Sequence, residues 1–350
     1  MEEERSIPEK RSFGLIIILV FTNLFFLTAL IWLLLHPQPL NTPLVSEDGS
    51  LSGIESTGSA VSREEIVDEL AAEGWVSPEI LKASADEFNL STELLSRFFK
   101  DKIIYKDAGQ IYYDDIDPGL KPHPYNWANL NLGGKRPVYI QADGSQALLG
   151  IDVSRYQEEI DWAQVAGDGI SFAMIRMGYR GYGNGSLNTD EYFAANISGA
   201  SAAGLRTGVY FFSQAITSQE AVEEADAVLA AIAGYNVSFP IVFDMEEISG
   251  AKARTDSLTK EDVTAIAAAF CERIRRAGYT PMIYANPKWF VSRMSLEQLE
   301  DYDKWLAQYY KTPAFPYEFS IWQFSSTGSV AGIKGNVDMN LAFVDYASAS

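Results

Sequence analysis

Phe239-Pro-Ile-Val-Phe-Asp-Met-Glu-Glu247 is the stretch on which the fold turns. Pro240 opens it, an apolar run rich in β-branched residues follows, and the acids Asp244 and Glu246 close it, which reads as a buried strand. Side chains alternate along a strand, so Val242, Asp244 and Glu246 share one face and Phe243 and Met245 the other. Two acids side by side on a mostly buried strand repel each other and resist desolvation, and one of them is expected to carry a raised pKa. A proton donor beside an anion is the pairing that glycoside hydrolysis uses. The plainer reading, acids emerging into solvent where a loop begins, is nearly as good from this stretch alone.

The flanking sequence repeats the strand pattern. From 148 onward, strands at 148–154, 172–177, 207–212, 240–246 and 281–285 alternate with helices around 160–165, 189–203, 218–233 and 259–278, with helical material through 299. Strand-like pieces at 304–309, 320–324 and 337–341 follow with little helix between them. Alternating strand and helix implies parallel strands with right-handed crossovers. Eight strands point to a closed α/β barrel of TIM type, irregular on the side of the last three.

The chain before the barrel divides by composition. Residues 1–12 are polar and charged, a cytoplasmic tail. Residues 13–35 form an uninterrupted apolar run, roughly the ~20 residues a membrane helix needs, with Trp32 near its far end. Arg5, Lys10 and Arg11 precede it and no Lys or Arg follows until Arg63. The positive-inside rule then places the N-terminus in the cytoplasm and the rest outside the cell membrane. The run is long for a signal peptide and lacks a convincing cleavage site, so an uncleaved single-pass transmembrane helix in the lipid bilayer is expected. Residues 36–61, rich in Pro, Ser, Gly and Thr, read as a flexible linker. Residues 62–147 read as a small α+β region of unassigned role. Ser62-Arg-Glu-Glu65 fits a capping box, Ser77-Pro78 a helix start, and Ser91 a third cap. Short strands follow with turns at Asp107-Ala-Gly109 and Asp143-Gly144. The dense aromatics there, Tyr105, Tyr112, Tyr113, Tyr125, Trp127 and Tyr139, are expected to form the core of a small β subdomain.

Composition excludes several chemistries. The 350 residues carry a net charge of −20, which argues against a nucleic-acid partner. A single cysteine, Cys271, allows no disulfide framework. Both histidines, His36 and His123, precede the barrel, so a Ser-His-Asp arrangement or a His-ligated metal within it is ruled out. Carboxylates remain, and no cofactor or metal is expected.

In such barrels the site lies at the C-terminal ends of the strands. Read in turn, those ends supply Asp152, Arg176, Tyr210 and Phe212, Asp244 and Glu246, Tyr284 and Asn286, then Trp305, Gln308, Trp322, Gln323 and Asp338. Each has an ordinary structural explanation. Their coincidence at successive strand ends suits a carbohydrate cleft, where aromatic faces pack on sugar rings and acids do the chemistry.

The pieces Gly150-Ile-Asp-Val-Ser154, Ile160-Asp-Trp162, Ile175-Arg176, Gly208-Val-Tyr210, Asp244-Met-Glu246, Trp305 with Gln308-Tyr309, Ile321-Trp-Gln323 and Val337-Asp-Met-Asn340 resemble glycoside hydrolase family 25, the Chalaropsis-type lysozymes. The resemblance covers 148–350 and says nothing about the preceding residues. It implies a flattened (β/α)5(β)3 barrel and cleavage of the β-1,4 bond between N-acetylmuramic acid and N-acetylglucosamine in the glycan strands of peptidoglycan, in cell-wall remodelling. It implies Glu246 as general acid. Asp244 would keep Glu246 protonated by like-charge repulsion and steer the substrate's 2-acetamido group, with Asp152 and Asp338 flanking the cleft. It makes Arg176, Tyr210, Phe212, Tyr284, Trp305, Gln308 and Trp322 substrate contacts. The alternatives are a glycan-binding protein without turnover, a related barrel glycosidase acting on chitin-like polymers, and a divalent-metal site built from the acids. Val242, two positions before Asp244 where chitin-cleaving barrels tend to carry a further aspartate, disfavours the second.

Overall fold

The computed structural model describes residues 81, 82, 85 and 90–348. The tail, the apolar run 13–35, the linker, and the expected starts at Ser62 and Ser77 lie outside the described residues. Among the described residues no helix is long and apolar enough to cross a membrane. Ser91 does cap a helix, its hydroxyl accepting from the Leu94 amide at 3.1 Å at the start of α1 (Thr92–Phe98). Strands β1 (Lys102–Asp107) and β2 (Gln110–Asp115) then form a hairpin turning at 108–109, and β3 (Leu130–Asn131) pairs with β4 (Val138–Tyr139).

The barrel begins with β5 (Leu148–Val153), followed by α2 (Trp162–Gly167), β6 (Phe172–Arg180) and a short β7 (Leu187–Thr189). It continues through α3 (Phe193–Ala202), β8 (Arg206–Phe212), α4 (Ser218–Ala231), β9 (Ile241–Asp244), α5 (Lys260–Arg276) and β10 (Pro281–Ala285). Strands β11 (Asp303–Ala307), β12 (Ile321–Gly328) and β13 (Val337–Ala342) complete it. Around the barrel the order is β5-β13-β12-β11-β10-β9-β8-β6, closed by β5 against β6, with β7 added beside β6. Strands β5, β6 and β8 through β12 run parallel, as alternation implies, while the short β7 lies antiparallel to β6. The last strand does not: β13 is antiparallel to both β12 and β5. Residues 329–336 are too few for the crossover of about a dozen residues that a parallel return needs. The chain therefore doubles back, and the start of β13, not its end, reaches the mouth.

Strand alternation sorts the core into two layers. Inside the barrel, Phe172, Met174, Val242, Met282, Tyr284, Trp305 and Ile321 form one buried cluster. Outside, Ile175, Val209, Phe243, Ile283 and Trp322 pack in a second cluster that includes helix residues such as Val228 and Phe270. Two glycines make the inner layer possible. A Cβ at Gly150 would fall within the Phe172 ring, and one at Gly208 would stand 2.6 Å from the Met174 sulfur. Gly150→Ala is therefore expected to displace Phe172 from the barrel axis, at about 1–3 kcal/mol typical of overpacking. Denaturant unfolding checks this, and an unchanged midpoint would contradict it.

The aromatics of 105–139 divide: Tyr105 stacks on Tyr112 and Tyr113 meets Phe99, whereas Tyr125, Trp127 and Tyr139 pack on the barrel. Tyr125 stacks 4.0 Å from Phe343, Tyr139 meets the same ring at 5.1 Å, and Trp127 lies 6.0 Å from Trp322. Phe343 follows the antiparallel β13 and Phe319 precedes β12, so this cluster seals the barrel end opposite the mouth. Pro78–Ser350 is accordingly one compact unit. Tyr125, Trp127 and Tyr139 also touch one another, so part of the expected aromatic cluster forms and is plugged against the barrel.

Candidate active site

At the mouth, the ends of the barrel strands enclose a cavity of about 970 Å³, near the top of the ~300–1,000 Å³ usual for ligand sites. Asp152, Arg176, Tyr210, Phe212, Asp244, Glu246, Tyr284, Trp305 and Asp338 all line it. The shared face of Asp244 and Glu246 survives although β9 ends at Asp244, for Glu246 still reaches the cavity.

Two expected contacts are not there. Trp322 lies on the outward face of β12, its indole N–H donating to the Gln308 carbonyl at 2.7 Å, and it is 1% exposed. Its neighbour Gln323 faces inward instead, as alternation requires, since adjacent strand residues cannot share a face. The Gln308 side chain turns away to accept from the amides of Ala314 and Phe315, bracing the loop before β12. Trp305 and Tyr284 border the cavity but are nearly buried. Both also prop the hydrogen-bond network around Asp152. Asn286 caps the turn at Trp289.

The hydrogen-bond network explains the props. The Trp305 indole N–H, a donor only, gives its hydrogen to Asn340 Oδ1 at 2.8 Å. That turns the Asn340 amide nitrogen to Asp152 Oδ2, also at 2.8 Å. Likewise the hydroxyls of Tyr284 (3.0 Å) and Tyr309 (2.8 Å) donate to Gln323 Oε1, so Gln323 Nε2 faces the same Asp152 oxygen at 2.8 Å. Asp152 Oδ2 thus receives two amide donors and can carry no proton; Oδ1 remains free to hold one.

Asp152 and Asp338 sit directly opposite in the antiparallel β5–β13 register, where Cβ atoms are about 4.5–5.5 Å apart. Like charges at that range cannot both form readily. Burial first, and Asp338 second, raise the Asp152 pKa to about 8, while the two amides pull it down. Asp338, partly exposed, is raised less, to about 6, by burial. Glu246 is also partly exposed and is lifted to about 7 by burial and then by Asp338. Asp244 is pushed well above the carboxylate range by burial, then by Glu246 and Asp152, with Arg176 opposing. Its Oδ1 is buried and has no hydrogen-bond partner. Asp338 across the mouth is thus a second acid that raises Glu246, while the repulsion between Asp244 and Glu246 is felt on Asp244. Asp244 lies deeper in the wall than Glu246.

Arg176 faces the cavity from β6 just before a bulge, and its Nε donates to Asp190 Oδ2 at 2.8 Å. Asp190, fully buried after β7, also accepts from the Arg155 backbone amide at 3.0 Å. Its place could not be read from strand ends, because the short return through β7 brings it there. Tyr156, Tyr179, Tyr182 and Tyr309 line the cavity as well. Tyr156 (71% exposed), Tyr182 (48%) and Tyr309 (51%) offer the open ring faces that Trp305 and Trp322 lack. Among the described residues no three acids, histidines or cysteines group closely enough to hold a metal ion.

Residues 151–333 match the family model described as glycosyl hydrolases family 25. The uncharacterized protein YegX of Escherichia coli O6:H1 is 30% identical over 226 residues, 61% of this chain and 76% of that protein. Lysozyme M1 of Streptomyces globisporus is 29% identical over 232 residues, 60% of this chain and 72% of its own. Among solved structures, the modular autolysin LytC from Streptococcus pneumoniae superposes with a TM-score of 0.50 at 20% identity, over 69% of this chain and 58% of that one, a likeness of fold.

Proposed function

The chain belongs to glycosyl hydrolases family 25, and from that premise we propose that it is an N-acetylmuramidase. It hydrolyses the β-1,4 bond between N-acetylmuramic acid and N-acetylglucosamine in peptidoglycan. The observation that carries this reading is four acids of graded burial and charge in one cavity whose rim bears open tyrosine faces.

Glu246, lifted into the neutral range and open to the cavity, protonates the leaving glycosidic oxygen as the C1–O bond breaks. The Asp152–Asp338 pair holds the negative charge that faces the developing oxocarbenium. Water supplies hydroxide to C1, and its proton goes to a carboxylate of the cluster. Asp244 Oδ1, buried without a donor, accepts the N–H of the substrate's 2-acetamido group, which steers that group against the reacting carbon.

The pH dependence follows in sign. Glu246 must be protonated, so kcat/KM falls as pH rises through about 7. The charge on Asp338 must be present, so it falls again as pH drops through about 6. A narrow bell is expected, its limbs belonging to the cluster rather than to single residues. A profile flat from pH 5 to 9 would contradict it.

Mass spectrometry of products from defined peptidoglycan tests the bond cut. Muramic acid at the new reducing end supports the proposal; N-acetylglucosamine there, or no soluble product, overturns it. The apolar run 13–35 and the basic residues before it support a single-pass anchor with the N-terminus cytoplasmic and the catalytic domain extracellular, beside its polymer. Recovery of the enzyme in the cytosolic fraction would refute that placement.

A further inference from the structure

Among the described residues one cation on the cavity wall, Arg155, makes no ion pair, although Glu191 acts on it at longer range and its side chain bonds to Tyr156. Arg176 is committed to Asp190, and Arg180 to Glu224 at 2.7 Å and Glu223 at 3.4 Å. Among the described residues Arg155 has no carboxylate within ion-pair distance, in a chain whose net charge is −20. Its guanidinium lies over the rings of Tyr156 at 5.3 Å and Tyr179 at 5.7 Å. The backbone beneath it is fixed twice. Ser154 and Gln157 form a capping box around the turn that carries it, and the Arg155 amide donates to buried Asp190. A guanidinium held between aromatic faces, with donors left over, is suited to grip a planar carboxylate. The negative charge shared by Asp152 and Asp338 disfavours an anion beside them on the cavity floor.

We propose that Arg155 is a specificity-determining residue that recognises a carboxylate on the muramyl residue, in a subsite over β5 and β6 offset from Glu246 just beyond β9. This deepens the muramidase reading and rests on it. A polymer of N-acetylglucosamine alone has no such group. A muramyl strand has one as the lactyl carboxylate when the peptide is absent, or as acidic groups of the stem when it is present.

The test compares wild type, Arg155→Met and Arg155→Lys on three soluble strands. One carries the intact acidic stem, one has the stem removed to leave free lactyl carboxylates, and one has those carboxylates capped as neutral methylamides. Arg155→Met is expected to raise KM about tenfold, the cost of one charge-assisted contact, on at least one anionic strand. It should leave kcat within twofold, leave the capped strand unaffected, and be partly rescued by Arg155→Lys. A rise confined to stem-bearing strands identifies the stem's acids; a rise confined to stem-free strands identifies the lactyl group. An equal KM rise on the capped strand, or a loss of kcat on all three, overturns the proposal. Binding of the same strands to Glu246→Gln and to Glu246→Gln/Arg155→Met separates this failure from that of the muramidase reading. Arg155-dependent, carboxylate-dependent binding by a wild type that cuts nothing would sink the enzyme reading and keep the subsite.

Discussion

Glu246→Gln is expected to lower kcat on peptidoglycan by about 10²–10⁴-fold, the usual share of a general acid, with KM little changed. Glutamine fills the same volume and hydrogen-bonds similarly but cannot hand a proton to the leaving oxygen. Folding should not suffer. The native carboxyl is lifted to about 7 by burial and by Asp338, so its ionisation opposes folding near neutral pH and a neutral isostere removes that opposition. The variant's thermal midpoint at pH 7.5 should equal or exceed that of the wild type. Activity retained within tenfold of wild type would remove Glu246 from the donor role. A collapsed midpoint would mean that the residue serves the fold instead.

The second large effect concerns the facing acids of β5 and β13. Because Asp152 and Asp338 stand opposite each other, they share a proton near neutrality, and removing either lets the other ionise more readily. Asp152→Asn and Asp338→Asn are each expected to cost about 10–100-fold in kcat. The double variant should cost more than the product of the two, since each single variant leaves one acid to carry the charge and the double leaves none. Asparagine is the right probe at 152, because its oxygen can still accept from both Asn340 and Gln323. Alanine would strand two buried amide donors at about 1–3 kcal/mol each and confuse catalysis with stability. Asp338→Asn should also move the basic limb of the pH–rate profile toward acid, because the charge that lifts Glu246 is gone. Strictly multiplicative effects in this cycle would show that the two acids act independently.

Most of the barrel could be read from local signals. Parallel strands joined by helices follow from apolar runs alternating with helical periodicity, and the acids Asp152, Asp244 and Glu246 from the period of two along β5 and β9. The direction of β13 was legible only through the length of the link before it. Trp322 and Gln308 were misplaced for a shared reason. An aromatic or amide near a strand end looks the same in sequence whichever face it occupies, and at 322 the inward position belongs to Gln323. The same ambiguity concealed Tyr309 and Asn340, which appear as members of a motif: Tyr309 orients Asp152 through Gln323, and Asn340, turned by Trp305, donates to Asp152 directly. Tyr125, Trp127 and Tyr139 gave no hint that their partners lie some two hundred residues downstream.

The amino-acid order alone determined that this is an α/β barrel whose chemistry must come from carboxylates, because the histidines precede it and Cys271 sits in a helix core. It determined that Asp244 and Glu246 face the same way, since alternation along a strand is a local property. Which acid charges first was decided by tertiary structure. That ranking depends on how deeply each carboxyl is buried, which donors reach it, and which other acid stands opposite. Those are facts of packing between strands far apart in the chain, and β5 beside an antiparallel β13 supplies the pairing that no local pattern encodes.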